Sequence, residues 1–181
     1  MKALLDELAK ENPNVFRVRN LTRDNPGLIA ASGFRNRIWS MLLLGNTVIK
    51  EHEKFMPSEL ECVEQHVLEN DVKRTRAELP EFKSAAYRET ISDILQLFCV
   101  VYDIAYKQGM NELLAPFIYL HPPPRGNAFP FTLYEAFLFR YLERYFCLDD
   151  SSFLFKAFRL FHVLLLYHDP QLGESFSHFL G

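Results

Sequence analysis

Two short stretches of this 181-residue chain hold side chains whose types and spacing can do chemistry. In Leu68-Glu69-Asn70-Asp71-Val72-Lys73-Arg74-Thr75, Asp71 and Arg74 stand three residues apart, which makes them neighbours on one face of a helix. Such a pair serves either as a solvated ion pair of small worth, or as a carboxylate that holds a guanidinium fork ready for a partner's phosphate. In Tyr106-Lys107-Gln108-Gly109-Met110-Asn111-Glu112-Leu113, Gln108 stands beside a glycine suited to a left-handed helix ending. A primary amide both accepts and donates hydrogen bonds, so it can orient a water against an electrophile. It can equally be one polar residue of a helix C-cap.

Other chemistries lack their motifs. There is no GxSxG, HExxH, GxxxxGK[ST] or GxGxxG. The histidines (52, 66, 121, 162, 168 and 178) are scattered; His162 reads as a satisfied core residue of an apolar helix, and His121 as a loop residue. Cys62, Cys99 and Cys147 are odd in number and far apart, which gives no disulfide framework or CxxC metal pair and fits a reducing compartment. A formal net charge of -3 does not point to nucleic acid, and the cations of the first 50 residues are spread singly. The start, Met1-Lys2-Ala3-Leu4-Leu5-Asp6-Glu7, turns acidic too early for a signal peptide. The apolar run Leu160 to Tyr167 is far short of the roughly 20 residues of a membrane span.

The elements that must carry these residues read as helices punctuated by proline and glycine. Leu4, Leu5 and Leu8 mark a short amphipathic segment stopped at Asn12-Pro13, and residues 13 to 33 read as irregular. Ser32 is the expected N-cap of a helix through Phe34, Ile38, Trp39, Leu42 and Leu43, closed by Gly45-Asn46. Pro57-Ser58 opens a helix with apolar residues at Leu60, Val63, Val67 and Leu68. The longest periodic stretch runs from Tyr87 through Ile91, Ile94, Leu95, Phe98, Val101 and Tyr102 to an end near Gly109. Residues 110 to 120 form an apolar segment broken at Pro116, and His121 to Asn127 a proline loop. Helices over 131–147 and 152–167 follow, hinged at Leu148 to Ser151, and a last one starts at Asp169-Pro170. No period-2 segment and no fixed repeat occurs, so the fold class is all-α. Hydrophobic residues at 49% exclude disorder, and 14 of the aromatic residues crowd after position 130.

Taken together, the stretches resemble a known signature pair. LxxDxxRT at 68–75, followed by YxQGMNELLAPF at 106–117, is similar to the IxxDxxR and YxQ motifs of the TBC domain, the Rab GTPase-activating module. Gly33-Phe34-Arg35-Asn36-Arg37-Ile38-Trp39 with Leu42-Leu43-Leu44-Gly45 resembles that family's G…RxxVWxxLLG block, and His168-Asp169-Pro170-Gln171-Leu172 its HDPxL block. The Tyr-Lys-Gln form, with LLAPF and a following His-Pro loop, looks closest to the subgroup that acts at endosomes alongside retromer.

The resemblance implies that Arg74 is an arginine finger and Gln108 a glutamine finger, both supplied in trans to a Rab-family small GTPase in its GTP-bound state. GTP and Mg2+ would be carried by that partner, and the chain would need no cofactor and run no reaction of its own. Asp71 would orient Arg74, Tyr106 would pack near the nucleotide edge, and Gly109 would allow close backbone approach. Arg35 and Trp39 would brace the finger helix, with contact to the GTPase the alternative for Arg35, and Asn111 completes the supporting set. The runner-up is a non-catalytic TBC-fold module that recruits a GTPase or trafficking complex. Cytoplasmic placement at the periphery of endomembranes, without membrane insertion, is implied. So is an N-terminal portion of the two-lobed fold, with an extension at 1–25 and a C-terminally truncated domain at 26–181. On that reading the late aromatic residues are exposed or covered by another copy of the chain.

Overall fold

The computed structural model describes residues 2–27, 32–45, 61–146 and 152–180, and helices are its regular elements. The chain divides into two units, Met1–Tyr141 and Leu142–Gly181.

In the first unit, α1 (Lys2–Leu8) and α2 (Val15–Asp24) precede α3 (Ser32–Leu44). Leu4, Leu8, Val18, Ile38 and Met41 from these helices form one buried cluster. The irregular stretch expected over 13–33 is therefore corrected in its first half. Asn14 caps α2 by accepting from the Arg17 amide at 3.0 Å, and Val15, Val18 and Leu21 give it a three-residue apolar spacing against the cluster.

Next come α4 (Gln65–Arg74) and α5 (Ala85–Tyr102), joined through a 3-10 turn at Pro80–Lys83. The expected opening of α4 at Pro57-Ser58 lies outside the described residues. The helix itself starts at Gln65, because Glu64 takes a left-handed backbone with φ 68, leaving Val63 exposed before it. Ser84 caps α5 by accepting from the Tyr87 amide. Tyr87, Ile91, Ile94, Leu95, Phe98 and Cys99 are buried along it, as the period requires.

The end of α5 is a second correction. It stops at Tyr102 rather than near Gly109, because Asp103 adopts φ 51. The Asp103 and Ile104 amides then bond back to Val100 and Cys99 at 3.4 and 3.0 Å. That is a Schellman ending with aspartate in the place glycine usually takes.

Helix α6 (Met110–Leu120) runs unbroken through Pro116, although proline within a helix removes one backbone bond. Helix α7 (Ala128–Phe137) follows, continued by a π-helical turn at Leu138–Leu142. Phe98 of α5 lies in ring contact with Tyr102, Phe131, Tyr134 and Phe139, so this part of the aromatic crowd is core.

The second unit holds α8 (Glu143–Phe146), α9 (Ser152–His168) and α10 (Pro170–Leu180). The hinge expected at 148–151 lies outside the described residues. The start of α10 is as the sequence predicts: Asp169 Oδ1 accepts from the Leu172 amide at 3.1 Å, and Pro170 is the first residue of the helix. His162 bonds the Gly173 carbonyl at 3.1 Å, and Gly173 is buried where the two helices meet. Phe155, Phe158, Phe161, Tyr167 and Phe176 are exposed. Among the described late aromatic residues, Phe131 and Tyr134 of α7 are thus buried, Tyr141 is exposed, and most of those on α9 are exposed.

Candidate functional site

The site grows from the face of α4 that turns inward. Leu68, Asp71, Val72 and Thr75 recur at helical spacing, and all four are buried. A carboxylate in that stripe must be paired, because an unsatisfied charge in the interior is costly. Its partner comes from far along the chain: Tyr106 Oη donates to Asp71 Oδ2 at 3.0 Å. The same hydroxyl lies 3.1 Å from Asn111 Oδ1, and the ionised carboxylate is the stronger of the two acceptors. Asn111 Nδ2 in turn donates to Thr75 Oγ1 at 2.9 Å, and Thr75 Oγ1 donates to the Asp71 carbonyl at 2.8 Å. Tyr106 is 2% exposed and Asn111 5%. Burial, then the bond to Asp71 and its charge, push the ionisation of the Tyr106 hydroxyl far above the ordinary tyrosine range.

This network shows where two of the expected supporting residues stand. Asp71 turns inward to Tyr106, and among the described residues no ion pair joins it to Arg74, which is exposed at the last position of α4. Asp71 therefore anchors the helix from which Arg74 projects, and does not grip the guanidinium itself. Tyr106 is buried, and its hydroxyl donates the hydrogen bond that the buried carboxylate accepts.

The loop of residues 103–109 and the start of α6 are fastened to α4 at more than one level. The Tyr106 amide donates to the Val63 carbonyl at 3.1 Å, just ahead of the helix. Tyr106 meets Asp71 in the middle of the helix, and Asn111 meets Thr75 beyond its end. Gln108 is exposed at the top of this loop. Gly109 does not close the preceding helix as expected; it is the N-cap of α6, with φ 99 and its carbonyl accepting from the Leu113 amide at 3.2 Å. Glycine suits that backbone because it has no Cβ to strain.

Arg35 and Trp39 lie half-buried on α3. Trp39 meets Phe117 edge to face, with ring centres 5.8 Å apart. Its support thus goes to α6, the helix of Asn111, and the expected bracing of the finger helix by Trp39 is indirect. Asn36 adds a bond from α3 to the Leu120 carbonyl at the other end of α6.

Thr75 is the residue that sequence reasoning passed over. The signal was present: counting 68, 71 or 72, and 75 places Asp71 and Thr75 on one stripe with Leu68. A polar pair on an apolar stripe calls for a partner elsewhere in the chain.

Parts of the chain are similar to known proteins. Residues 32–179 match the family described as the Rab-GTPase-TBC domain. Over 75 residues the chain is 33% identical to the TBC domain-containing protein kinase-like protein of Homo sapiens, covering 41% of this chain and 8% of that protein. The same protein of Gallus gallus is 31% identical over 75 residues, with the same coverage of 41% and 8%. TBC1 domain family member 5 of Homo sapiens is 40% identical over 57 residues, 30% of this chain and 7% of that protein. The matched stretches are therefore a small fraction of the length of these relatives, which are of two kinds and do not single out a subgroup. No solved structure matches. With the family match running from the first residue of α3 to the last turn of α10, the chain belongs to the Rab-GTPase-TBC domain family.

Proposed function

We propose that the chain activates GTP hydrolysis by a Rab-family small GTPase, with Arg74 and Gln108 entering the partner's nucleotide site. One observation carries this reading. Two exposed residues of the right chemistry, Arg74 and Gln108, project from segments that buried hydrogen bonds between Asp71 and Tyr106 and between Thr75 and Asn111 hold together.

The chemistry suits that arrangement. Phosphoryl transfer asks an activator to neutralise developing charge and to align a water, not to form covalent bonds. The Arg74 guanidinium would meet the β–γ bridging oxygen and the γ-phosphate, and the Gln108 amide would orient the attacking water. Preorganisation matters because effective placement of reacting groups is steeply sensitive to small displacements. The GTP and Mg2+ belong to the partner. Work at the periphery of endomembranes, with a trafficking complex as a further partner, belongs to the same proposal. Among the described residues no helix is long and apolar enough to cross a membrane.

The test is phosphate release from a panel of GTP-loaded Rabs mixed with wild type, Arg74→Ala and Gln108→Ala. At least one Rab is expected to respond, and Arg74→Ala is expected to remove about 10³-fold or more of the stimulation. A folded wild type that binds a GTP-loaded Rab without accelerating hydrolysis would replace this reading with that of a recruiting module.

A further inference from the structure

Thr75 and Arg76 follow Arg74 directly, and Asn111 and Glu112 lie shortly after Gln108. These two dipeptides meet twice. In the core, Asn111 Nδ2 donates to Thr75 Oγ1 at 2.9 Å. At the surface, Arg76 Nε and Glu112 Oε2 are 2.8 Å apart, with side chains 47% and 44% exposed. The backbone is shaped for this meeting. Arg76 holds φ 45, a left-handed conformation that residues with a Cβ adopt rarely. That turn takes the chain out of α4, with the Leu79 amide bonded to the Arg76 carbonyl at 2.8 Å. Glu112 also lines an apolar groove of about 400 Å3 with Trp39, Leu113 and Pro116.

We propose that Arg76 and Glu112 are positioning residues. Their ion pair fixes the spacing between the segment carrying Arg74 and the segment carrying Gln108, so that both side chains reach one GTP-bound partner together. This inference rests on the finger reading above. Neither residue touches the reacting atoms. A half-exposed ion pair adds little to global stability, but catalysis by two groups on separate segments depends on their relative placement. The pair's effect therefore falls on turnover.

The experiment uses Arg76→Glu, Glu112→Arg and the double exchange in the full chain, with the Rab that responds best in the phosphate-release panel. Each single variant is expected to lower kcat about two- to fivefold at unchanged KM, and the double exchange to restore most of it. A raised KM in Arg76→Glu that the exchange does not restore would mean that Arg76 touches the partner itself, and would overturn the proposal. So would unchanged kcat.

A second measurement needs no Rab. Amide hydrogen exchange in Glu112→Gln is expected to speed up together in residues 74–79 and 107–113. Faster exchange confined to the second segment removes the clamp while leaving the finger reading intact. Silence of every Rab toward the wild type removes the finger reading, and the positioning role with it.

Discussion

Tyr106 and Asp71 are joined by a hydrogen bond of 3.0 Å across 35 positions of sequence. The bond places a proton donor from the loop between α5 and α6 against a carboxylate in the apolar stripe of α4. It thereby fastens the helix that presents Arg74 to the loop that presents Gln108. Hydrogen bonds to buried charged groups are among the stronger ones, at about 1.5–3 kcal/mol.

Replacing Tyr106 by Phe keeps the ring and strands the carboxylate. We expect a loss of about 1–3 kcal/mol in urea unfolding. Tyr106→Phe combined with Asp71→Asn should cost less than the sum of the two single changes, because the pair is in contact. Strict additivity would mean that the bond does not couple them.

The same hydroxyl makes an alkaline prediction. Its ionisation is raised in the folded protein, so the folded state keeps a proton that the unfolded chain releases above the ordinary tyrosine value of about 10. The folded state then binds more protons than the unfolded one, and stability falls as pH rises past that value. Urea midpoints followed from about pH 9 to 11 should fall more steeply for wild type than for Tyr106→Phe.

Glu7 behaves in the opposite sense. A bond from Lys10 Nζ at 2.7 Å and another from the Asn14 amide at 2.9 Å hold its ionisation below the ordinary glutamate value, against the opposing effect of burial. Its contribution is present above the ordinary glutamate value of about 4.3 and is lost as pH falls through the lower folded value. In Glu7→Gln, the junction of α1 and α2 should lose part of its acid sensitivity, read by amide exchange as the pH is lowered.

Two glycines should fail for different reasons. Gly109→Ala meets open space but must hold φ 99, at a cost of about 1–2 kcal/mol. In Gly173→Ala the added carbon would stand 2.7 Å from Leu166 Cδ2 and 2.8 Å from its Cα. That overpacking is expected to cost about 1–3 kcal/mol and to loosen the α9–α10 pair. Exchange protection mapped by segment separates the two, since each change should act within its own unit.

Arg74→Ala and Gln108→Ala should leave unfolding within about 0.5 kcal/mol of wild type, as exposed substitutions do. Lost stimulation of a Rab at unchanged stability assigns the loss to chemistry. A marked drop in stability would show that these side chains hold the fold instead.

The sequence by itself determined the all-helical class, the signature residues and the Asp169-Pro170 start of α10, because apolar periodicity and capping chemistry are local properties. Helix ends depended on backbone signs that composition does not announce. Asp103 stops α5 in a left-handed conformation usually given to glycine, and Glu64 delays α4 in the same way. Only the tertiary structure decided what the signature residues do to one another. Three residues of separation make Asp71 and Arg74 look like partners, yet the buried stripe turns Asp71 toward a tyrosine in another segment and leaves Arg74 in solvent. The reason is desolvation: a carboxylate carried into the interior takes the donor that the packed chain brings to it, whatever neighbour the helix offers outside.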